Sequence, residues 1–345
     1  MSFTERQLLP SPKQLKEEFF LEEAAAQFVL SSRQTIQRIM EGEDSRLLVI
    51  VGPCSIHDPE GALDYARRLK LLADEYSKTL FVVMRVYFEK PRTTLGWKGF
   101  IHDPDLNGNI DIDKGLRLGR KLLLDINALG VPVATEFLEP LIPPYLADCV
   151  SWAAIGARTT ESQIHREMAS GLPMPVGFKN GTSGNIQIAL DAIYAASHSH
   201  HFLGINSEGF AAMLKTSGNP YAHIVLRGSL NQGPNYQKPI VNQTLEGLSR
   251  LGLRPQVMID CSHGNSEKNY LKQVEVIQGL SGRIPTEKAI MGLMIESYLK
   301  PGCQPLSETL EYGVSITDPC IGWEDTVKSL GSVAKKLSES CVVVA

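Results

Sequence analysis

The chain has 345 residues, of which 43% are hydrophobic and 21% are charged, as is typical of a globular protein with a sizeable core. Its formal net charge of −4 argues against a nucleic-acid partner or an anionic membrane surface, because both require a surplus of Lys and Arg. The sequence contains no apolar run of the kind that a signal peptide or a membrane-spanning helix needs, so we expect a cytoplasmic protein.

Residues 1–45 form an amino-terminal arm that does not follow the pattern of the rest of the chain. Apolar residues recur in it at helical spacing and predict one helix over about residues 12–40. Ser11 is the predicted N-cap, since Pro12 follows it directly and Gln14 stands three residues later. We expect the arm to cover the bottom of the following domain or to contact a neighbouring subunit.

Eight short apolar segments follow between residues 46 and 345, and they alternate with helical patterns. Apolar runs of this length are typical of buried parallel strands. Eight strand–helix units are the number that closes a (β/α)8 TIM barrel, which is the predicted fold of this α/β chain. The predicted strands are residues 47–51, 80–83, 132–134, 152–156, 175–178, 223–226, 257–259 and 289–295.

One segment between the fifth and the sixth strand–helix units does not fit the barrel pattern. Residues 202–206 and 210–215 are two strand-like runs, and the sequence Ser-Glu-Gly at residues 207–209 separates them. The sequence therefore predicts a β-hairpin inserted into the barrel at about residues 200–218.

Basic side chains stand at the ends of several predicted strands or just beyond them. Active sites in this fold lie at the carboxyl ends of the strands, so we expect these side chains to meet at one rim. A single one is most often a solvated surface charge, but six at one concave rim repel each other unless anionic ligands bind there. Arginine forks match phosphate and carboxylate oxygens, which indicates small phosphorylated substrates. The six residues are Arg85, Lys90, Arg92, Arg158, Lys179 and Arg227.

A second set of residues at the same rim offers sulfur, nitrogen and oxygen donors to a metal ion. Such a set suits a borderline divalent cation such as Mn, Fe, Co or Zn better than it suits Mg or Ca. Alternatively, the thiol and the imidazole are satisfied by the backbone while the two carboxylates pair with nearby cations. The four residues are Cys54, His263, Glu296 and Asp318, and Glu136 is a further carboxylate that faces the basic group, if only as its counter-charge.

Seven stretches of the chain carry a resemblance to one enzyme family. They are GPCSIHD (52–58), MRVYFEKPRTT (84–94), GARTTES (156–162), GFKNGT (177–182), LRG (226–228), DCSHGN (260–265) and SITD (315–318). These motifs resemble 3-deoxy-D-arabino-heptulosonate 7-phosphate (DAHP) synthase, the first enzyme of the shikimate pathway, in its type I, aromatic-regulated form. The resemblance extends from about residue 9 to residue 337.

The resemblance implies a condensation of phosphoenolpyruvate with erythrose 4-phosphate and water that releases phosphate and depends on one divalent metal ion. The implied metal ligands are Cys54, His263, Glu296 and Asp318. The residues implied to hold phosphoenolpyruvate are Arg85, Arg158, Lys179 and Arg227, with Lys90 reaching between the two substrates. Arg92 and Thr93 would hold erythrose 4-phosphate. The implied catalytic residues are Lys90, Glu136, Lys179 and His263, with Glu136 a candidate for managing the addition of water.

The resemblance also implies an assembly and a regulator. The expected assembly is a homodimer or a homotetramer, and the expected effector is an aromatic amino acid bound near Pro140, Pro143, Pro173 and the hairpin. The overall pattern leans toward the tyrosine-sensitive form. Two other functions stay open at this point, namely a Schiff-base aldolase that uses Lys179 and a non-catalytic sensor of sugar phosphates.

Overall fold

A computed structural model of the protein describes residues 7–342 and contains ten strands in that range. In chain order they are β1 (Leu47–Gly52), β2 (Leu80–Arg85), β3 (Val133–Glu136), β4 (Trp152–Ile155), β5 (Val176–Lys179), β6 (His201–Ile205), β7 (Ala211–Lys215), β8 (Ala222–Leu226), β9 (Val257–Asp260) and β10 (Ile290–Glu296). Eight of them are parallel and close into a barrel in the order β1-β2-β3-β4-β5-β8-β9-β10, which confirms the predicted (β/α)8 fold.

Helices alternate with the barrel strands, and two more precede the first strand. They are α1 (Pro12–Glu18), α2 (Glu23–Glu41), α3 (Pro59–Glu75), α4 (Ile112–Ala128), α5 (Pro143–Leu146), α6 (Gln163–Gly171), α7 (Gln187–Ala196), α8 (Lys238–Arg250), α9 (Tyr270–Ser281) and α10 (Trp323–Val342). Among the described residues, none of these helices has both the length and the apolar character that crossing a membrane requires. Residues 1–6 of the predicted arm and residues 343–345 of the predicted barrel domain lie outside the described part.

The predicted inserted hairpin is confirmed. Strands β6 and β7 pair antiparallel, with His201 opposite Lys215 and Ile205 opposite Ala211. They follow α7 and precede β8, which is the sixth strand of the barrel. The side chain of Asn206 shapes the turn, because its Oδ1 accepts the backbone N–H groups of Glu208 at 3.1 Å and Phe210 at 2.9 Å.

The arm contains two helices where the sequence predicted one. The capping box at Ser11 and Gln14 is present, but α1 ends at Glu18 and α2 begins at Glu23. The buried guanidinium of Arg120 on α4 donates to the carbonyl oxygen of Phe19 at 2.9 Å, so this carbonyl is engaged by a distant residue and not by a continuing helix. The prediction of an unbroken helix was therefore wrong, because a tertiary contact redirects the chain.

Helix α2 covers the amino-terminal end of the barrel. Its buried side chains Ile36, Ile39 and Met40 belong to one apolar cluster with Leu48 and Trp152 from the barrel strands. A second, larger cluster fills the layer between the strands and the outer helices. Successive strand residues belong to the two clusters alternately, as the two-residue period of a strand requires. The bottom of the barrel is therefore closed, and the opposite rim is left for chemistry.

Candidate active site

Three of the four predicted metal ligands lie together at the carboxyl end of the barrel. Cys54 follows β1 by two residues, Glu296 is the last residue of β10, and Asp318 lies in the loop between β10 and α10. One donor atom from each, a sulfur and two carboxylate oxygens, lies within 4.8 Å of the other two. Residues that are distant in sequence therefore offer ligands to one point. A cavity of about 10 Å³ lies beside this group and is lined by His263, Glu296 and Asp318 among other residues.

His263, the fourth predicted ligand, stands beside this group. Its Nε2 lies 3.7 Å from Oε1 of Glu296, and its Nδ1 lies 2.7 Å from the hydroxyl oxygen of Ser262. The residue adopts a backbone φ of +56°, a left-handed conformation that is uncommon for a residue other than glycine. The loop after β9 therefore turns the imidazole toward the carboxylate of Glu296.

Cationic side chains contact the donor atoms directly. Nζ of Lys90 lies 3.0 Å from the sulfur of Cys54, and a guanidinium nitrogen of Arg85 lies 3.1 Å from Oε1 of Glu296. Burial alone would lower the pKa of Lys90, but the neighbouring Cys54 and Glu296 outweigh it and raise this pKa. Burial by itself raises the pKa of Glu296, yet His263 and Arg85 bring this pKa below its usual value. These neighbours therefore favour the ionised carboxylate, which is the form that can act as a ligand.

Arg85 is held in one orientation by its surroundings. Its guanidinium donates to the carbonyl oxygen of Pro53 at 3.3 Å as well as to Glu296, and it lies 3.9 Å from the ring centroid of Tyr87. The side chain is 1% exposed. Tyr87 was not among the predicted site residues, because only the folded chain shows that its ring lies against this cation.

Lys179 lies at the end of β5 and is paired with a carboxylate that the sequence analysis did not assign. Its Nζ lies 2.9 Å from Oδ2 of Asp260, the last residue of β9. Burial would raise the pKa of Asp260, but His263 and Lys179 hold it well below the usual range. The position of Asp260 at a strand end was the available signal, since it follows the same rule that identified the other site residues.

The remaining predicted substrate ligands lie around the same rim. Nε of Arg158 lies 3.3 Å from the hydroxyl oxygen of Thr93, and Nε of Arg92 donates to the carbonyl oxygen of Trp97 at 2.8 Å. Burial lowers the pKa of Arg227, and the nearby charge of Arg158 adds to this effect. Both arginines therefore contribute positive charge to one region, as the prediction of an anion-binding pocket requires.

The loops that carry Arg227 and His263 are packed together closely. Asn180 accepts the backbone N–H of Arg227 at 2.8 Å, and Asn265 donates to the carbonyl oxygen of Leu226 at 3.0 Å. A Cβ atom on Gly264 would lie 2.2 Å from the backbone nitrogen of Ser229, so only glycine fits there. These contacts hold the ends of β5, β8 and β9 in a fixed relation.

Glu136 ends β3 and lies against Gly156, which follows β4. Its side chain is buried, and Oε1 has no hydrogen-bond partner among the residues that the structure describes. A Cβ atom at residue 156 would lie 2.2 Å from this oxygen, so glycine leaves room for the carboxylate. An unpartnered buried carboxylate oxygen is costly unless a ligand or a water molecule binds it.

A second, larger cavity lies outside the charged group. It measures about 540 Å³ and is lined by residues of α7, α8 and the loops that precede them, including Gln187 and Thr244. None of the predicted site residues lines it, although Gly228 and Asn235 connect its wall to the loop that carries Arg227.

Comparisons with known proteins identify the family of the chain. A family model described as the DAHP synthetase I family matches residues 23–330. The chain is 52% identical over 345 residues to the protein of Salmonella typhimurium named phospho-2-dehydro-3-deoxyheptonate aldolase, Tyr-sensitive, covering 99% of this chain and 96% of that protein. It is 54% identical over 332 residues to the Phe-sensitive form of Escherichia coli, covering 95% and 94% of the two chains.

A solved structure gives the same result. The phospho-2-dehydro-3-deoxyheptonate aldolase of Francisella tularensis superimposes with a TM-score of 0.96 at 45% identity, over 98% of this chain and 99% of that chain. The function predicted from the motifs, the first step of the shikimate pathway, is thereby confirmed. The chain belongs to the DAHP synthetase I family.

Proposed function

We propose that this enzyme is metal-dependent and that Cys54, His263, Glu296 and Asp318 hold one divalent ion. The compact group of a thiol and two carboxylates, with an imidazole nitrogen 3.7 Å from one of them, supports this proposal. Such a donor set fits Mn, Fe, Co or Zn, because sulfur and nitrogen donors disfavour Mg and Ca. The ion would polarise the aldehyde oxygen of erythrose 4-phosphate and make its carbon electrophilic.

The cationic residues bind and orient the two phosphorylated substrates. In the proposed arrangement Arg158, Lys179 and Arg227 hold phosphoenolpyruvate together with Arg85, while Lys90 reaches between the substrates. Arg92 and Thr93 hold the phosphate of erythrose 4-phosphate. The contact of Arg158 with Thr93 supports neighbouring positions for the two anions. Arginines fixed in advance stabilise the negative charge on the departing phosphate without reorganising during the reaction.

Glu136 is proposed to take the proton of the water that adds to the enol carbon. The methylene carbon of phosphoenolpyruvate attacks the aldehyde carbon, and the enol carbon becomes electron-poor until water adds. The unpartnered Oε1 of Glu136 supports the assignment, since it is free to accept a hydrogen bond from this water. The former aldehyde oxygen takes up one proton in exchange for the proton that the water loses. The resulting adduct then breaks its C–O bond to phosphate as the added hydroxyl becomes the ketone oxygen, which completes the reaction.

The ion pair of Lys179 with Asp260 bears on the alternative function of a Schiff-base aldolase. A Schiff-base aldolase needs a lysine amine that is free to attack a carbonyl carbon, whereas Nζ of Lys179 is held in an ion pair 2.9 Å from Oδ2 of Asp260. The geometry therefore favours the metal-dependent reaction. A sensor would bind sugar phosphates without releasing phosphate.

One assay tests these alternatives together. The purified enzyme is mixed with phosphoenolpyruvate and erythrose 4-phosphate, and phosphate release is measured before and after chelation and after addition of each metal. We expect chelation to abolish the release and one or more of Mn, Fe, Co and Zn to restore it. Full activity after complete metal removal would contradict the proposed metal dependence, and trapping by borohydride would support the Schiff base.

We further propose that an aromatic amino acid inhibits the enzyme by binding where α1, α5, α6 and the hairpin meet, near Pro140, Pro143 and Pro173. The backbone N–H of Lys13 donates to the carbonyl oxygen of Ser207 at 2.9 Å, which joins α1 to the hairpin turn. The hydroxyl of Tyr145 on α5 donates to the carbonyl oxygen of Pro10 at 2.9 Å. Separate parts of the chain thus form one region that an effector could bias.

Removal of residues 1–21 tests this regulatory proposal. The cut leaves α2 in place, whereas the removal of about 30 residues would destroy part of the helix that covers the barrel bottom. We expect turnover to persist and inhibition by phenylalanine, tyrosine or tryptophan to be lost. The relatives named above are Tyr-sensitive and Phe-sensitive at similar identity, so the effector has to be measured. Undiminished inhibition of the truncated enzyme would contradict the proposal.

A homodimer or a homotetramer is the proposed assembly. The hairpin exposes apolar side chains that a lone barrel would leave in water: Leu203 is 80% exposed, Phe210 71% and Met213 76%. Light scattering should give a multiple of the chain mass, and replacing Leu203 and Met213 by Ser should lower it. A cytoplasmic location is proposed as well, since the five cysteines whose side chains the structure describes, among them the candidate ligand Cys54, are free thiols and suit a reducing compartment.

A further inference from the structure

Asp260 contacts two side chains to which the proposed function gives different tasks. Its Oδ2 lies 2.9 Å from Nζ of Lys179 and 2.9 Å from Nδ1 of His263. Its Oδ1 accepts the backbone N–H of Ser262 at 3.0 Å. The carboxylate is fully buried. One oxygen atom therefore contacts both a substrate-binding ammonium and a candidate metal ligand.

The backbone around Asp260 is fixed as firmly as its side chain. The amide of Asn265 donates to the carbonyl oxygen of Asp260 at 2.8 Å. The carbonyl oxygen of His263 accepts the N–H of Lys268 at 2.7 Å, and the N–H of Gly264 bonds to the carbonyl oxygen of Arg227 at 3.0 Å. These bonds fix the backbone positions from which the carboxylate and the imidazole extend toward each other.

The placement matters because imidazole binds a metal only through a nitrogen that carries no proton. A carboxylate beside Nδ1 keeps the proton on that nitrogen, which leaves Nε2 as the ligand atom. In this structure Nε2 is the nitrogen that faces Glu296. The hydroxyl of Ser262 at 2.7 Å is a second neighbour of Nδ1, but it is uncharged and can either donate or accept.

The same carboxylate sets the position of Lys179. A lysine stem has four rotatable bonds, so an ammonium that binds an anion precisely needs a partner that limits its motion. Asp260 supplies this partner from the neighbouring part of the barrel, since β9 is separated from β5 only by β8. Lys179 is only 4% exposed, which shields its ion pair from water.

We propose that Asp260 is a positioning residue that orients His263 toward the metal site and Lys179 toward phosphoenolpyruvate at once, and thereby couples the two. This inference rests on the proposed function, because it presumes that His263 is a ligand and that Lys179 binds substrate. It adds that loss of one buried carboxylate weakens both metal binding and phosphoenolpyruvate binding, although Asp260 itself is assigned no contact with the metal or the substrate.

The variant Asp260→Asn tests the inference, because it keeps the shape of the side chain and removes the charge. The first measurement is the Kd for Mn²⁺ of the metal-free enzyme without substrates, obtained from the electron paramagnetic resonance signal of free Mn²⁺. The second is the KM for phosphoenolpyruvate at saturating metal. We expect the Kd to rise about 10- to 100-fold, as for other residues that orient metal-bound histidines. We expect the KM to rise about tenfold or more.

Asp148→Asn is the matched control. Asp148 also pairs with a buried cation, since it lies 2.9 Å from the guanidinium of Arg120, but this pair is at the arm and not at the rim. Loss of this ion pair should lower thermal stability, while the Kd for Mn²⁺ and the KM for phosphoenolpyruvate stay within about twofold of the original values. A merely structural role of Asp260 would give the same result as this control.

Each outcome separates the inference from the proposed function. Original-strength Mn²⁺ binding by a folded Asp260→Asn enzyme overturns the inference and leaves the proposed function intact. Failure of the unaltered enzyme to bind any divalent ion contradicts the proposed function instead. Should Asp260→Asn not fold, Asp260→Glu keeps the charge but displaces it by one methylene group. Its Kd for Mn²⁺ should then rise about threefold or more, and an unchanged Kd would again overturn the inference.

Discussion

The two ends of the barrel are built from the same strands on opposite physical principles. At the amino-terminal end, Ile36, Ile39 and Met40 of α2 pack on apolar strand residues and exclude water. At the carboxyl end, charged groups are buried beside one another, for example Arg85 with Glu296. Burial of apolar surface stabilises the first end, whereas burial of charges costs free energy unless every charge is paired.

This difference separates stability from function within one domain. Side chains at the closed end contribute to the free energy of unfolding and lie outside the proposed site. Side chains at the open end include the proposed ligands of the metal and the substrates, and Oε1 of Glu136 has no hydrogen-bond partner among the described residues there. Substitutions at the two ends should therefore change different measured quantities.

Loss of a donor at the open end should have the largest effect. Cys54→Ala should reduce turnover about a thousandfold and abolish metal binding while the protein stays folded. The measurements are phosphate release and the metal content of the purified protein. Cys261→Ala is the control, since Cys261 is another fully buried cysteine beyond a strand end but lies outside the donor group. Equal effects of the two substitutions would contradict the assignment of Cys54.

Loss of packing at the closed end should change stability instead. Ile36→Ala leaves a cavity beneath the barrel, so the free energy of unfolding should fall by about 3 kcal/mol. Urea unfolding measures this change, and kcat should stay within about twofold of the original value. Gln34→Ala on the exposed face of the same helix should cost about 0.5 kcal/mol or less. A large loss of kcat in Ile36→Ala would show that the two ends are not separable.

Glu136 tests whether an unpartnered buried carboxylate acts in the reaction. Glu136→Gln keeps its shape against Gly156 but cannot accept a proton, so kcat should fall about a hundredfold with little change in either KM. Steady-state kinetics with both substrates provide the measurement. An unchanged kcat would mean that Glu136 is only a counter-charge to the neighbouring cations.

The smallest effect concerns His223 inside the barrel. Burial lowers its pKa to about 4, and its ring nitrogens contact Trp152 and the carbonyl oxygen of Tyr221 in the neutral form. Between pH 7 and 5 the imidazole of His223 becomes protonated in the unfolded chain but stays neutral in the folded one. The free energy of unfolding should therefore fall by about 2 kcal/mol as the pH decreases over this range.

Comparison with His223→Gln isolates this contribution. The variant lacks the titrating group, so its stability should decrease less over the same pH range, as measured by urea unfolding at each pH. Carboxylates of the open end contribute equally to the pH dependence of both proteins. Their contribution therefore cancels when the two stability curves are subtracted. Identical pH dependence of the two proteins would show that His223 is not the group responsible.

Local sequence patterns were enough to predict the eight strands, the inserted hairpin and most of the residues at the rim. Strand periodicity and helix caps are local properties, and the barrel places every strand end on one face, so the position of Cys54 or Arg227 follows from local pattern alone. The prediction of one helix in the arm was wrong because Arg120, about a hundred residues away, binds the carbonyl of Phe19.

Which of these residues contact each other became visible in the folded chain alone. The fold placed His263 beside the donor group, set Tyr87 against Arg85, and brought Asp260 between Lys179 and His263. Such contacts depend on distances of a few ångströms between separate strands, and one-dimensional spacing carries no information on them. The identity of a strand-end residue is a local fact, whereas its partner is fixed by the closure of the barrel.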